Sequence, residues 1–229
     1  MSSVAIITAR GGSKRIPRKN IKEFLGKPII AYSIEAAISS GVFDSVMVST
    51  DDEEIAEISK RYGAEIPFFR SGETSNDFAV TADVISEVLG EYKKLGTEFD
   101  FFACIYPTAP FITADKLKEA VKAFKDSGAD SLVPVVKFDF PPQRGFVCRD
   151  GFIRFQYPEY ANTRSQDLEP LYHDCGQFYI STTASFEKNH SLITEKTVPY
   201  IVSETEVQDI DTETDWVIAE EKYSRLYLK

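Results

Sequence analysis

Cysteine is scarce in this 229-residue chain, and long apolar runs are missing. The three cysteines are widely spaced and form no C-x-x-C pair: Cys104, Cys148 and Cys175. This spacing argues against a disulfide framework or a cysteine metal site, so we expect reduced thiols in or near the core. No apolar run reaches the ~20 residues of a membrane span. The first residues also lead straight into a strand without a secretory leader, so we expect a cytoplasmic protein with no membrane partner.

Two common phosphate-binding signatures are absent as well. The chain has neither the P-loop spacing G-x-x-x-x-G-K-[ST] nor the dinucleotide fingerprint G-x-G-x-x-G. Basic residues are in the minority, since 26 Lys and Arg stand against 36 Asp and Glu and the formal net charge is −10. A surface of this charge repels polyanions, which argues against a nucleic-acid partner.

A short basic segment, residues 10–19, runs against this net charge. It follows the apolar run 4–7, which predicts a buried strand, and it contains Gly11 and Gly12. Its basic residues are Arg10, Lys14, Arg15, Arg18 and Lys19. Glycines let backbone amides approach an anion closely while the cations neutralise it, so the segment predicts a nucleoside triphosphate site. A solvated basic turn and a nucleic-acid contact are the alternatives.

Strand and helix patterns alternate through the first 135 residues. Apolar runs predict strands at 46–48, 101–105 and 132–136. Apolar residues at helical spacing predict a helix over 81–94 and three further helices that end at Gly41, Gly63 and near Gly128. This alternation predicts an α/β fold, a mostly parallel sheet flanked by helices. Ligands of such sheets bind at the carboxyl ends of the strands, where the basic segment falls.

The alternation stops at residues 138–171, which are rich in proline and aromatic residues and lack helical spacing. We expect short antiparallel strands here, inserted into a nucleotide-binding α/β domain made of residues 1–137 and 172–229. So many aromatic residues in an exposed insertion indicate a contact surface, and dimerisation is its expected use. Strands at 178–180 and 198–202 and a helix over 212–228 complete the prediction.

A second candidate site is acidic and lies between the last strand and the last helix. In an extended segment Asp209 and Asp211 project to one side, while Ile210 turns into the body. Two carboxylates on one side can hold Mg²⁺ together with water and phosphate oxygens. Asp211 could instead cap the last helix, a role that leaves Asp209 unexplained.

Several motifs, in order along almost the whole chain, resemble the CMP-sialic acid synthetase family of cytidylyltransferases. The matching stretches are A-R-G-G-S-K (9–14), Pro17, K-N (19–20), G-K-P (26–28), S-T-D (49–51), Arg70 with Asp77, P-T-A-P (107–110), S-Q-D-L (165–168) and D-I-D-T (209–212). The resemblance implies a Rossmann-like nucleotide-diphospho-sugar transferase fold. It also implies a reaction in which CTP and a 2-keto-3-deoxy sugar acid give a CMP-sugar and diphosphate, with Mg²⁺ as cofactor.

Two further stretches resemble the pseudaminic acid branch of that family: Y-P-T-A-P-F (106–111) and Y-H-D-C-G-Q-F-Y (172–179). Sialic acid synthetases typically carry Gln where Tyr106 stands and Arg-x-Asn-Gly at 173–176. The resemblance therefore implies an acidic nine-carbon keto sugar, pseudaminic acid, as the partner of CTP. The alternatives are N-acetylneuraminate, legionaminate or an octulosonate, and, from another class, a non-catalytic nucleotide-binding regulatory module.

The resemblance also implies roles for individual residues. Arg10 and Lys19 would stabilise the α-phosphate and the leaving diphosphate. Asp209 would help to remove the proton of the sugar hydroxyl, and with Asp211 it would hold the metal. The implied nucleotide-binding residues are Gly11, Gly12, Ser13, Lys14, Asn20, Arg70, Ala79 and Thr81. The implied substrate-binding residues are Tyr106, Arg164, Gln166, His173, Gln177 and Tyr179, of which Arg164, Gln166 and His173 would come from the partner subunit of a homodimer.

Four of these sugar-site residues have plain structural alternatives. His173 could hydrogen-bond within the core, and Arg164 could pair with Asp167. Tyr106 and Tyr179 could be packing residues with a satisfied hydroxyl.

Overall fold

The structure is a computed structural model that describes residues 1–228. Its strands are, in chain order, β1 (Ser3–Thr8), β2 (Glu23–Phe24), β3 (Lys27–Pro28), β4 (Ser45–Ser49), β5 (Phe101–Ile105), β6 (Ser131–Lys137), β7 (Phe146–Arg149), β8 (Phe152–Phe155), β9 (Tyr172–Asp174), β10 (Phe178–Thr182) and β11 (Thr197–Ile201). Its helices are α1 (Ile29–Ser40), α2 (Glu53–Arg61), α3 (Gly72–Ser75), α4 (Thr81–Lys94), α5 (Ala114–Ser127), α6 (Thr183–Asn189) and α7 (Glu213–Tyr227).

The central sheet has seven strands in the order β11-β6-β10-β5-β1-β4, with β9 paired to β6. Strands β5, β1 and β4 are parallel neighbours, and β11 is parallel to β6. Strand β10 lies antiparallel between β5 and β6, and β9 is antiparallel to β6. The predicted α/β fold with a mostly parallel sheet is confirmed. The reversed direction of β10 was not predicted, because a fully buried apolar run carries no sign of its direction.

Helices cover both faces of this sheet. Along β1, Val4 and Ile6 face one side and Ala5 and Ile7 the other, and all four are fully buried. The Ala5 side packs against apolar residues of α1, α2 and α5, and the Val4 side packs against α4 and α6. Burial on both faces explains why the run is apolar without alternation.

The predicted helix ends agree with the structure at several points. The Thr113 side chain caps α5 by accepting a hydrogen bond from the Lys116 amide, and α5 ends at Gly128, whose φ is 64°. Glycine adopts this left-handed conformation without the steric penalty of a Cβ. Helix α4 spans the residues that the apolar spacing predicts.

The short antiparallel strands expected within 138–171 are present as the β7–β8 hairpin, which is separate from the central sheet. Large apolar side chains are exposed on this insertion, including Phe140, Phe152 and Ile153. The division into a nucleotide-binding domain and a dimerisation segment stays a prediction.

The three cysteines do not share one environment. Cys104 and Cys175 are buried, whereas Cys148 is exposed on β7. The expectation of core or near-core thiols is therefore wrong for Cys148, because the hairpin that carries it stands off the main sheet. Across residues 1–228 no helix is both long enough and apolar enough to cross a membrane.

Candidate active site

A cavity of about 390 Å³ opens where β1 and its parallel neighbour β5 end. The basic segment follows β1 and forms one wall, and Tyr106, which follows β5, forms another. The lining residues are Thr8, Arg10, Ser13, Lys14, Arg15, Ile16, Lys19, Asn20, Tyr106, Pro107 and Thr108. The predicted position of the basic segment, at the carboxyl ends of the strands, is therefore confirmed.

Two hydrogen bonds fix the backbone of the basic segment. Asn20 is buried, and its Nδ2 donates a hydrogen bond to the Arg10 carbonyl at 2.9 Å. The Gly11 amide donates to Asp51 Oδ1 at 2.9 Å. A Cβ at Gly11 would lie 2.7 Å from Asp52 Oδ2, so no larger residue fits there without displacing that carboxylate. Asn20 lines the cavity as expected, but its amide donates to the segment's own backbone.

Acidic side chains pair with every basic residue of the segment. Asp77 contacts both Arg10, at 2.9 Å, and Lys14. Arg18 has φ 54° and binds Asp52 and Glu54. The remaining two cations, Arg15 and Lys19, face Asp211. These pairs offset the self-repulsion of the cations.

The acidic pair 209–211 lies beside the basic segment, just before the start of α7. Ile210 is buried in a cluster with Phe111 and Trp216, which fixes the segment on the body. The Asp211 carboxylate lies 2.7 Å from Arg15 Nη2 and 3.7 Å from Lys19 Nζ.

The helix-cap alternative for Asp211 is wrong. The Thr212 side chain caps α7 by accepting a hydrogen bond from the Asp215 amide, and the Asp215 carboxylate accepts from the Thr212 amide at 2.8 Å. This capping box satisfies the helix start one residue after Asp211. The Asp211 carboxylate therefore remains with the cations of the basic segment.

Lys19 belongs to the basic segment and also contacts the acidic pair 209–211. Its Nζ donates to the Ile210 carbonyl at 2.7 Å. Burial lowers the pKa of Lys19, and the neighbouring carboxylates of Asp211 and Asp209 oppose that shift. Both carboxylates therefore act on one ammonium group, which joins the acidic pair to the basic segment.

The acidic pair fits a Mg²⁺ ion that a phosphate ligand would complete. Mg²⁺ binds one or two protein carboxylates and takes its other oxygens from water and phosphate. Within residues 1–228 no group of three or more His, Cys, Asp or Glu side chains is arranged as a metal cage. The donor set of Asp209 and Asp211 matches this open kind of site.

Three of the residues expected to bind the nucleotide, Arg70, Ala79 and Thr81, have protein partners in the structure. Arg70 is buried, its Nε donates to Ser49 Oγ at 3.0 Å and its Nη2 to the Ser49 carbonyl at 2.6 Å. Burial lowers the pKa of Arg70 to about 10. The Ala79 amide donates to Asn76 Oδ1 at 3.1 Å, and Thr81 Oγ1 lies 3.3 Å from Tyr106 Oη. Thr81 alone among these three contacts a residue of the cavity wall.

Two tyrosines connect the cavity to β9. The Tyr106 and Tyr179 rings meet edge to face with centroids 5.6 Å apart. Tyr179 donates its hydroxyl proton to Asp174, whose other oxygen accepts from the Gly176 amide at 2.7 Å. Burial raises the pKa of both tyrosines, so both hydroxyls stay protonated and able to donate.

Gln177 holds an unused acceptor beside these tyrosines. It is 3% exposed, and its Nε2 donates to the Glu206 carbonyl at 2.7 Å. Its Oε1 is buried and has no hydrogen-bond partner among the described residues. An unpaired buried acceptor costs about 1–3 kcal/mol, so this oxygen is suited to accept from a bound donor.

His173 lies on a second cavity, of about 510 Å³, which Asp174, Gly176, Gln208 and Asp209 also line. The core alternative for His173 is wrong, because the side chain is exposed at the end of the sheet. Its Nδ1 lies 2.9 Å from the Asp174 carbonyl, and its ring packs 4.6 Å from that of Phe138.

Arg164 and Gln166 lie apart from both cavities. Arg164 binds Asp167 through Nε at 2.6 Å and Nη2 at 3.0 Å, which confirms the ion-pair alternative. Gln166 lines a third cavity, of about 260 Å³, with Lys137 and Phe138. Within one chain the structure does not bring Arg164 or Gln166 to the basic segment.

Three carboxylates that shape the site stand in the matching stretches, but no role was assigned to them from the sequence: Asp51, Asp77 and Asp174. Asp51 follows an apolar strand directly, and its position at a strand's carboxyl end could have marked it. Asp77 lies in an irregular segment and Asp174 ends the short strand β9, and neither place has an apolar spacing that could assign the partners of these carboxylates.

The fold agrees with comparisons to known proteins. A family model described as Cytidylyltransferase matches residues 4–196. The chain belongs to the cytidylyltransferase family. It is therefore a nucleotidyltransferase.

Family relatives match over nearly the whole chain. It is 39% identical over 224 residues to pseudaminic acid cytidylyltransferase of Campylobacter jejuni subsp. jejuni, and the match covers 97% of each chain. It is 33% identical over 229 residues to CMP-N,N'-diacetyllegionaminic acid synthase of Legionella pneumophila, covering 96% of this chain and 95% of that one. The solved structure of CMP:2-keto-3-deoxy-manno-octonic acid synthetase complexed with CTP has a TM-score of 0.71 at 17% identity, covering 98% of this chain and 99% of that one. This last likeness confirms the fold.

Proposed function

We propose that this cytidylyltransferase transfers CMP from CTP to pseudaminic acid, a nonulosonic acid, and releases diphosphate. The observation that carries the proposal is the meeting of the basic segment with the acidic pair 209–211 around Lys19. Cations suited to a triphosphate and carboxylates suited to its metal therefore meet at the Lys19 ammonium group. The choice of sugar rests on the relative that is 39% identical along 97% of the chain.

In this reaction the anomeric hydroxyl of the sugar attacks the α-phosphate in line. The protein then acts by positioning both reactants and by neutralising the charge that develops on the phosphates. Arg10, Lys14 and Lys19 supply the positive charge, and the Gly11 and Gly12 backbone allows close approach of the phosphates. Thr8 and Ser13 border the same cavity.

Asp209 and Asp211 are the residues that would hold Mg²⁺. Bound there, the ion would supply charge neutralisation on phosphate oxygens. Asp211 is paired with Arg15, whereas the Asp209 carboxylate has no ion pair among residues 1–228. Asp209 is therefore the group we assign to accept the proton of the attacking hydroxyl.

The sugar site combines residues from two chains of a homodimer. Tyr106 lines the first cavity, and Gln177 and Tyr179 are buried hydrogen-bonding residues next to it. The carboxylate of an acidic sugar needs a cation, and Arg164 offers bidentate geometry. Arg164 and Gln166 are exposed in their own chain, which supports their use, with His173, in the site of the partner subunit.

The proposal is tested by measuring diphosphate release with CTP and Mg²⁺ over a panel of nonulosonic acids. We expect turnover with pseudaminic acid and little with the others. Preferred turnover of N-acetylneuraminate or an N,N'-diacetyllegionaminate would overturn the choice of sugar and keep the reaction. CTP binding without release for any sugar would favour a non-catalytic nucleotide-binding module.

The role of Asp209 has a matched test. Asp209→Asn removes the acceptor at nearly constant size, and we expect kcat to fall about 10²-fold or more, the usual contribution of a general base. Glu221→Gln is the control, because it makes the same charge change at an exposed position of α7. Equal kcat values for the two variants would remove Asp209 from the mechanism.

A further inference from the structure

One carboxylate, that of Asp77, bridges two cations of the basic segment. Arg10 Nη1 lies 2.9 Å from Asp77 Oδ1 and 3.1 Å from the Asn76 carbonyl. Lys14 Nζ binds the other carboxylate oxygen, Oδ2. A phosphate group would bind the same two side chains in this way, with one oxygen on each cation.

The contact is ionic but exposed. Lys14 and Arg10 hold the pKa of Asp77 below its usual range, so the group is an anion at neutral pH. The side chains of Arg10, Lys14 and Asp77 are 38%, 78% and 44% exposed. Exposed ion pairs are weak because water screens them, so a ligand with several phosphate charges can compete for both cations.

The segment that carries Asp77 has few apolar anchors. It joins α3 to α4, and Phe78 is 93% and Val80 58% exposed. A cavity of about 520 Å³ is lined by this side of the basic segment and by residues 75–78. Segments with little buried apolar area can shift at low free-energy cost, so Asp77 can leave the cations without disturbing the core.

We propose that Asp77 occupies the phosphate position of the basic segment when no nucleotide is bound and that CTP must displace it. Asp77 then lowers the affinity of the site for polyphosphates and replaces the diphosphate as it leaves. The inference rests on the proposed function, which assigns Arg10 and Lys14 to the triphosphate.

The test compares Asp77→Asn with the unaltered protein by calorimetric titration of inorganic tripolyphosphate and of CTP. Removing the competing charge should lower both Kd values about threefold to tenfold, the scale of one or two exposed ion pairs. Glu73→Gln is the control, because it makes the same charge change at a nearby exposed position and should leave both Kd values unchanged. The midpoint of thermal unfolding checks that each variant folds, and Asp77→Ser serves as a second variant.

Two results would overturn the inference. Weaker binding in Asp77→Asn would mean that Asp77 orients Arg10 and Lys14 for the ligand. Unchanged binding would mean that Asp77 does not compete with the ligand. Tighter binding in Asp77→Asn without turnover of any sugar by the unaltered enzyme would support the inference and overturn the proposed reaction. Normal turnover with unchanged Kd values would overturn the inference alone.

Discussion

The burial of each cysteine side chain decides whether its thiol reaches solvent. Cys104 and Cys175 are buried, and burial raises the pKa of each thiol to about 12. A thiol reacts as its thiolate, so both groups are unreactive at neutral pH because they are inaccessible to reagents and remain protonated. Cys148 is exposed on β7.

We therefore expect one reactive thiol per folded chain in a titration with a disulfide reagent at pH 8. All three cysteines should react after denaturation. Cys148→Ser should abolish the fast reaction, whereas Cys175→Ser should preserve it. Two fast-reacting thiols in the folded protein would contradict the buried position of Cys104 or Cys175.

The chemistry of individual residues was easier to predict than their partners. Five basic residues in an acidic protein predicted a bound anion, a nucleoside triphosphate, beside them. Their sequence could not show that Asp77 meets Arg10 and Lys14, because that pairing joins residues more than sixty positions apart across an irregular segment. The helix-cap interpretation of Asp211 was wrong because Thr212, the next residue, makes the better cap.

At the scale of secondary structure, the start of α7 positions the acidic pair. Thr212 caps the helix, and Ile210 anchors the preceding residues among Phe111 and Trp216. Asp209 and Asp211 flank this anchor. The start of α7 and the candidate metal site therefore form one continuous stretch of chain.

Thr212→Ala should destabilise the protein by about 1 kcal/mol, the usual loss for a missing N-cap. For a chain of this size this lowers the midpoint of thermal unfolding by roughly 2–4 °C. Calorimetry measures the shift, and Thr212→Ser should keep most of the stability because it keeps the hydroxyl. An equal loss in both variants would show that the hydroxyl does not stabilise this end.

Elements with strong local patterns were predicted well. Strand β5 and helix α4 have the predicted bounds, since a continuous apolar run and helical apolar spacing are both local signals. The reversed direction of β10 was missed, because strand direction is set by the path of the whole chain and not by the residues of the strand.

At the scale of the whole molecule, the candidate sugar site is incomplete in one chain. Arg164 and Gln166 lie away from the basic segment, and the insertion that carries them exposes several large apolar side chains. Apolar surface of this kind favours association with a second copy. One sequence could predict such a contact, but the residues that meet across it depend on the symmetry of the pair.

Light scattering should therefore give twice the mass of one chain. Phe152→Asp places a charge on the exposed apolar hairpin, where Phe152 is 69% exposed, and should yield monomers with a raised KM for the sugar. Leu95→Asp, at an exposed apolar position beyond α4, should remain dimeric. A dimeric Phe152→Asp with unchanged kinetics would place the interface elsewhere.

One carboxylate, that of Asp52, links the basic segment to the body of the protein in three ways. It caps α2 by accepting from the Ile55 amide at 3.0 Å, it binds Arg18, and it fills the space beside Gly11. In laboratory evolution, a change at Asp52 selected for heat resistance would therefore also alter the conformation of the basic segment. Stability and the shape of this segment depend on one residue, so improving one without changing the other requires a compensating change at Gly11 or Arg18.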